Sequence, residues 1–191
     1  MRSSLSTLLP RALLCSAFLT ALGFAASASA HATTPVVKGL CPSADVALTA
    51  TNNDQIRGSM CLANTERTAR DLSPLRENHK LHNAAQGHSS DMVRRSYFAH
   101  TAPSGATFVD RIVRAGYTAR GDGWSLGENL AWGTGDLGTA RGIHTAWMRS
   151  SGHRANILKP AYREVGIGIQ AGIPKDAGVG ATFTADFGVT L

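Results

Sequence analysis

Three side chains stand in contexts that suit chemistry: His100 in YFAHTAPSG, Glu128 in GENLAWG and His153 in SSGHRANIL. Each adjoins a glycine-rich or turn-rich break, where a polar group is readily aimed into a cleft. Two imidazoles and a carboxylate suit zinc or another divalent cation, with a further position left for water or a ligand. Gaps of 28 and 25 residues separate them, unlike short ligand pairs such as His-Glu-x-x-His, so only the tertiary fold can bring them together. His153 falls in the first turn of an expected helix, where the positive dipole end favours the neutral ring that binds metal.

Other polar groups receive plainer readings. Beyond residue 30 the glutamates are Glu66, Glu77, Glu128 and Glu164. Glu66 and Glu77 sit in helical patterns and are expected to be solvated, whereas Glu128 lies among glycine, leucine and tryptophan and needs a partner. His88 falls on an apolar helix face and reads as a core histidine that donates a hydrogen bond; His79, His82 and His144 read as surface or flanking residues. The GHSSD segment lies mid-helix and lacks the strand-to-helix elbow of a G-x-S-x-G nucleophile. Ser150 and Ser151 read as helix caps.

These residues need a scaffold, and the first thirty residues are not part of it. Arg2 and Arg11 flank the apolar run ALLCSAFLTALGFAA, which is followed by small residues with cleavage points after Ala30 or Ala32. That pattern predicts a secretory signal peptide over residues 1–30, too short in its apolar run to span a bilayer. Cys15 leaves with it. The expected product is exported to the periplasm or the extracellular space, with no transmembrane segment. Its 161 residues suit one domain, and its formal charge falls from +6 to +4 with the loss of Arg2 and Arg11. So thin a basic excess, without basic runs, excludes nucleic acid as the expected partner but suits contact with anionic cell-surface polymers.

Cys41 and Cys61 remain, and an oxidising compartment makes a bridge between them the economical reading, against two buried thiols. Residues 31–55 are read as an N-terminal arm tethered by that bridge and residues 56–191 as the domain. Helical periodicity places Ile56, Met60, Ala63 and Arg67 on one face, with Asn52 and Gln55 as a capping box. A second helix aligns Leu81, Ala85, His88 and Met92; a short third aligns Phe108 and Ile112 before Gly116 stops it. SLGENLAWG reads as an extended crossing segment, and a fourth helix runs through Ala140, Ile143 and Trp147. YREVGIGIQ and ATFTADFGV alternate and read as a hairpin with a long connection. Helices first and strands last predict an α+β fold on a small antiparallel sheet.

Taken in order, LANTERTARDLSPLRENHKLHNAAQGHSSDM, YFAHTAPSG, GYTARGDGWSLGENLAWG, AWMRSSGHRANILKPAYREVGIGI and FTADFG resemble the CAP superfamily, the SCP or PR-1-like domain, in its bacterial single-domain form. The resemblance covers residues 56–188. It implies a secreted three-layer α-β-α sandwich, mainly antiparallel in its sheet, with a central cleft lined by histidines and acidic groups that holds divalent metal in some members. Carried over by motif, the first histidine is His100, the glutamate is Glu128 and the second histidine is His153. The second glutamate of the eukaryotic pattern lies three residues after a tryptophan; here Trp147 leads to Ser150, and the carboxylate is lost. Asn129, Asn156 and Ser150 are expected to support the cleft.

Three uses of the cleft follow. As a binding module, His100 and His153 hold zinc or another divalent cation, Glu128 either ligates it or bonds to a bound water, and the remaining position takes an unidentified small molecule, lipid or cell-surface polymer. As a zinc hydrolase, Glu128 is the general base. As a structural cluster, Glu128 orients both histidines without metal. Lipid carriage is known within the superfamily, though no segment marks a lipid groove. A monomer is expected.

Overall fold

The computed structural model describes residues 40–46, 52–118, 123–175 and 179–190, all within a unit spanning 35–191. A two-residue strand, β1 (Arg76–Glu77), pairs parallel with β3 (Glu164–Ala171). β3 pairs antiparallel with β4 (Ala181–Thr190), whose other edge pairs antiparallel with β2 (Trp124–Gly133). The order is therefore β1-β3-β4-β2, with the expected hairpin at its centre and the expected crossing segment as β2.

Helices cover both sheet faces. On one side α1 (Asn52–Thr68), α4 (Ala140–Arg149) and α5 (Ser151–Ile157) meet the odd-numbered apolar residues of β3 and β4. Val165, Ile167, Ile169, Phe183, Ala185 and Phe187 form that core with Ile56, Ile143 and Trp147. On the other side lie α2 (His79–Arg94) and α3 (Phe108–Arg114), with Leu81, Ala84, Ile112 and Tyr117 in a second cluster. This is a three-layer α-β-α sandwich around a mixed, mainly antiparallel sheet. The glycines of VGIGI explain how close α2 lies: a methyl on Gly166 would land in the backbone of His82, and one on Gly168 in that of Gln86. Ser89 then fastens the layer, its hydroxyl donating to Gly168 O at 3.0 Å and accepting from the Thr184 hydroxyl at 2.8 Å.

Local sequence explains the element ends. Asn78 caps α2 by accepting from the backbone of Lys80 and Leu81. Thr107 and Asp110 form a reciprocal capping box at α3, and Gly116, at φ 87°, stops it. The disulfide Cys41–Cys61 ties the short 3-10 turn Pro42–Asp45 to α1. Arg67 is fully buried at the end of α1, its guanidinium donating to the carbonyls of Ser73, Ile157, Lys159 and Tyr162.

Several expectations are corrected. α1 runs from Asn52 to Thr68. Asn52 does not cap it: its amide reaches across to Ile169 O at 2.9 Å. Glu77 lies in β1 rather than a helix, and Glu66 is buried beside Arg70 instead of solvated. His144 is buried in the α1–α4 layer, and His82 is tied through Nδ1 to Ile167 O at 2.8 Å, whereas His79 is exposed as expected. Ser150 occupies the N-cap position of α5, but its side chain makes no capping bond. The signal-peptide reading of residues 1–30, and the arm residues 31–39 and 47–51, lie outside the described residues.

Candidate functional site

β2 is the last strand in the sheet order, and its alternation sends consecutive side chains to opposite faces. Glu128 points to the α2–α3 side, sharing that face with Leu126 and, across the ladder, with Asp186 of β4. Asn129 points to the α5 side. Its amide donates to His153 O at 3.0 Å, while Asn156 donates to Asn129 Oδ1 at 2.9 Å and to Glu128 O at 3.2 Å. The two asparagines thus anchor α5, and with it His153, onto the strand that carries Glu128.

His100 arrives from the loop that follows α2. That loop is pinned from two sides: His88 Nε2, buried in α2, bonds Ala99 O at 3.0 Å, and Arg111 of α3 donates through Nη1 to His100 O at 3.0 Å and Ala106 O at 3.2 Å. His88 is thus the core histidine the helical pattern predicts. Burial lowers its pKa, only partly opposed by the Glu128 charge, so the neutral ring donates to Ala99 O.

The carboxylate of Glu128 is buried, its side chain 1% exposed, and both oxygens are engaged. Oε1 meets His100 Nδ1 at 2.7 Å, and Oε2 accepts from Arg111 Nη2 at 2.6 Å. Two charge-assisted bonds to one buried carboxylate fix its position and fix His100, whose ring is otherwise half exposed. His153 makes no bond to Glu128. It is half-buried, and its pKa is lowered first by that burial and then by the neighbouring His100, since two protonated imidazoles there would repel. The structure therefore brings His100 and Glu128 into direct contact and leaves His153 adjacent to His100.

Two members of this cluster were not singled out from the sequence. Arg111 looks like any cation on a short amphipathic helix, and only the packing of α3 against β2 turns it inward. Asp186 sits on what a strand pattern marks as the polar face of FTADFG, yet α2 covers that face and the residue is fully buried. Its pKa is pushed well above the usual carboxylate range, first by burial and then by the charge of Glu128, with Arg111 opposing. A side-chain hydrogen bond to Glu128, which only a protonated Asp186 can donate, adds to the same rise. A neutral carboxyl thus backs the Glu128–Arg111 ion pair.

For a divalent cation the donor set is the two imidazoles of His100 and His153, of which His153 has its pKa lowered by burial. Glu128 stands behind His100 in the arrangement that fixes the tautomer of a metal-binding histidine, with Nδ1–H held by a carboxylate and Nε2 left for the metal. Among the described residues no three His, Cys, Asp or Glu side chains are grouped to hold a metal.

Comparison with known proteins gives the site a family context. The family model described as the cysteine-rich secretory protein family, CAP, matches residues 62–184. The uncharacterized protein YkwD of Bacillus subtilis is 35% identical over 107 residues, 56% of this chain and 39% of YkwD. The uncharacterized membrane protein YlbC of the same organism is 31% identical over 108 residues, 56% of this chain and 29% of YlbC. The chain thus covers well under half of either curated relative. Among solved structures, an extracellular SCP-domain protein of Bacillus anthracis superposes with TM-score 0.59 at 26% identity, covering 71% of this chain and 40% of the other. An outer surface protein of Borrelia burgdorferi shares the fold, with TM-score 0.63 at 16% identity over 74% of this chain and 97% of that one.

Proposed function

Since the chain belongs to the cysteine-rich secretory protein (CAP) family, we propose that it is an exported binding module whose His100–His153 pair takes a divalent cation, zinc foremost. The observation that carries this reading is the 2.7 Å bond from His100 Nδ1 to the buried Glu128, which leaves Nε2 as the ring's remaining nitrogen beside a second imidazole that resists protonation. The cation would supply Lewis acidity and open coordination positions for a ligand. Asn129 and Asn156 hold α5 in place for His153, and Arg111 and Glu128 hold the loop of His100.

The same geometry speaks against Glu128 as the general base of a hydrolase. A base must be free to accept a proton, and both oxygens of this carboxylate are occupied, one by a guanidinium. Export is supported by the signal-peptide pattern, by the Cys41–Cys61 bridge and by the extracellular and surface proteins that share the fold. No helix among the described residues is long and apolar enough to cross a membrane.

Calorimetric titration of the metal-free protein with zinc chloride at pH 7 tests the reading. One zinc per chain is expected, lost in His100→Ala and in His153→Ala, and weakened about 10- to 100-fold in Glu128→Gln through the loss of the orienting carboxylate. Binding that persists unchanged in both histidine variants would overturn it.

A further inference from the structure

Arg111 also borders a second space, separate from the His100–Glu128 contact. Between α2 and α3, and bordered by the loop 102–106, lies an open pocket of about 470 Å³. Arg94 and Arg95 line it from the last turn of α2 and its cap, Arg111 and Arg114 line it from α3, and Asp91 is its one acidic residue. With His88 held neutral by burial, the lining carries three more positive than negative charges.

Asp91 meets part of that excess, at 3.3 Å from Arg94 and 3.6 Å from Arg95. Both are surface pairs within one helix, worth little and easily redirected. Arg114 has no ion pair or hydrogen bond among the described residues; its charge acts on the nearby Asp110. Arg111 is the more telling group. Its side chain is 10% exposed, Nη1 and Nη2 are spent on His100, Ala106 and Glu128, and Nε is buried without a partner. A buried donor that makes no bond is costly unless something outside the chain meets it.

The rest of the lining leaves room. Gly87 and several alanines contribute almost no volume, and Asn83 and Ser104 add neutral polar groups. A methyl on Gly87 would touch nothing, so this part of α2 faces open space. Arginines lining one pocket from two helices suit a tetrahedral anion, which accepts from several directions, better than a carboxylate, which is met by a single guanidinium fork.

We propose that the α2–α3 pocket binds a phosphate ester, with the phosphoryl oxygens between Arg94 and Arg95 of the α2 end and Arg111 Nε and Arg114 of α3, and the organic portion on the small-residue floor. The ester belongs either to a free small molecule or to one unit of an anionic polymer at the cell surface. The site is independent of metal at the histidines.

Calorimetry of the full folded protein at low ionic strength, with glycerol 3-phosphate and with a polyglycerol-phosphate chain as probes, decides the matter. Saturable binding of at least one probe is expected, weakened about tenfold by Arg114→Ala and by Arg94→Ala, unchanged by His100→Ala, and unchanged by Arg149→Ala, an exposed α4 arginine that does not line the pocket. Tighter binding of the chain per phosphate assigns the source to a polymer; equal binding assigns it to a free ester. The proposal is overturned if neither probe saturates by about 10 mM, if malonate binds as tightly, or if Arg149→Ala weakens binding as much as Arg114→Ala. Zinc affinity, measured on the same Arg114→Ala protein and expected to be unchanged, keeps failure here distinct from failure of the metal reading.

Discussion

Replacing Glu128 by glutamine removes the negative charge from a cluster in which Arg111 is nearly buried and Asp186 completely so. Taking one partner from a buried ion pair ordinarily costs about 3–5 kcal/mol, because the other charge is stranded. Here a substitute is at hand, since Asp186 lies opposite Glu128 in the ladder and is kept neutral partly by that same charge. In Glu128→Gln, Asp186 ionises towards Arg111, and the expected loss falls to about 2 kcal/mol. Asp186→Asn in the native background behaves oppositely. The folded pKa of Asp186 is raised above its ordinary 3.8, so the native state retains a proton that the unfolded chain releases, and this disfavours folding increasingly as pH rises above that value. The amide carries no such linkage, so Asp186→Asn is neutral or slightly stabilising at pH 7, and the gain disappears near pH 4. Combined, the two substitutions leave no anion, and the full 3–5 kcal/mol is expected, about 2 kcal/mol beyond the sum of the single changes. Urea unfolding of the four proteins at pH 7 measures this. Additivity within about 0.5 kcal/mol, or a destabilising Asp186→Asn at pH 7, would refute the charge exchange.

The buried His144 supplies a second test. Burial, and then Arg141, lowers its pKa to about 4, and its Nε2 has no partner. A histidine whose folded pKa lies below its unfolded 6.5 contributes stability that is present above that value and lost as pH falls through the window to about 4. The loss amounts to roughly 3 kcal/mol by pH 4, and His144→Leu should flatten that part of a stability–pH profile; an unchanged profile would place the titration elsewhere. The Cys41–Cys61 bridge closes a separation of 20 residues, for which unfolded-chain entropy predicts about 3 kcal/mol. Cys41→Ser/Cys61→Ser should unfold at correspondingly lower urea, whereas equal midpoints would show that the bridge contributes nothing to stability.

Much of the fold was legible because its signals are local. Alternating four- and three-residue spacing of Leu81, Ala85, His88 and Met92 marks the buried stripe of α2, and all four are buried. Alternation marks β3 and β4 as a hairpin. The two-residue β1 was not readable, since two exposed residues hydrogen-bonded to a strand nearly ninety positions away carry no period of their own. His144 misled for a related reason. A polar residue beside the apolar stripe of α4 reads as flanking, but α1 lies over that side and buries it.

The candidate site divides along the same line. Residue type and local context sufficed to single out His100, Glu128 and His153, because a carboxylate among Gly, Leu and Trp and histidines at turns demand partners. The partners themselves were decided by tertiary structure. Arg111 and Asp186 reach Glu128 only because α3 packs on β2 and β4 lies beside it, so one carboxylate joins groups from four separate segments. Sequence periodicity reports which face of an element is buried; which charge waits on that face depends on distances across the fold, and those distances set Glu128 between His100 and Arg111.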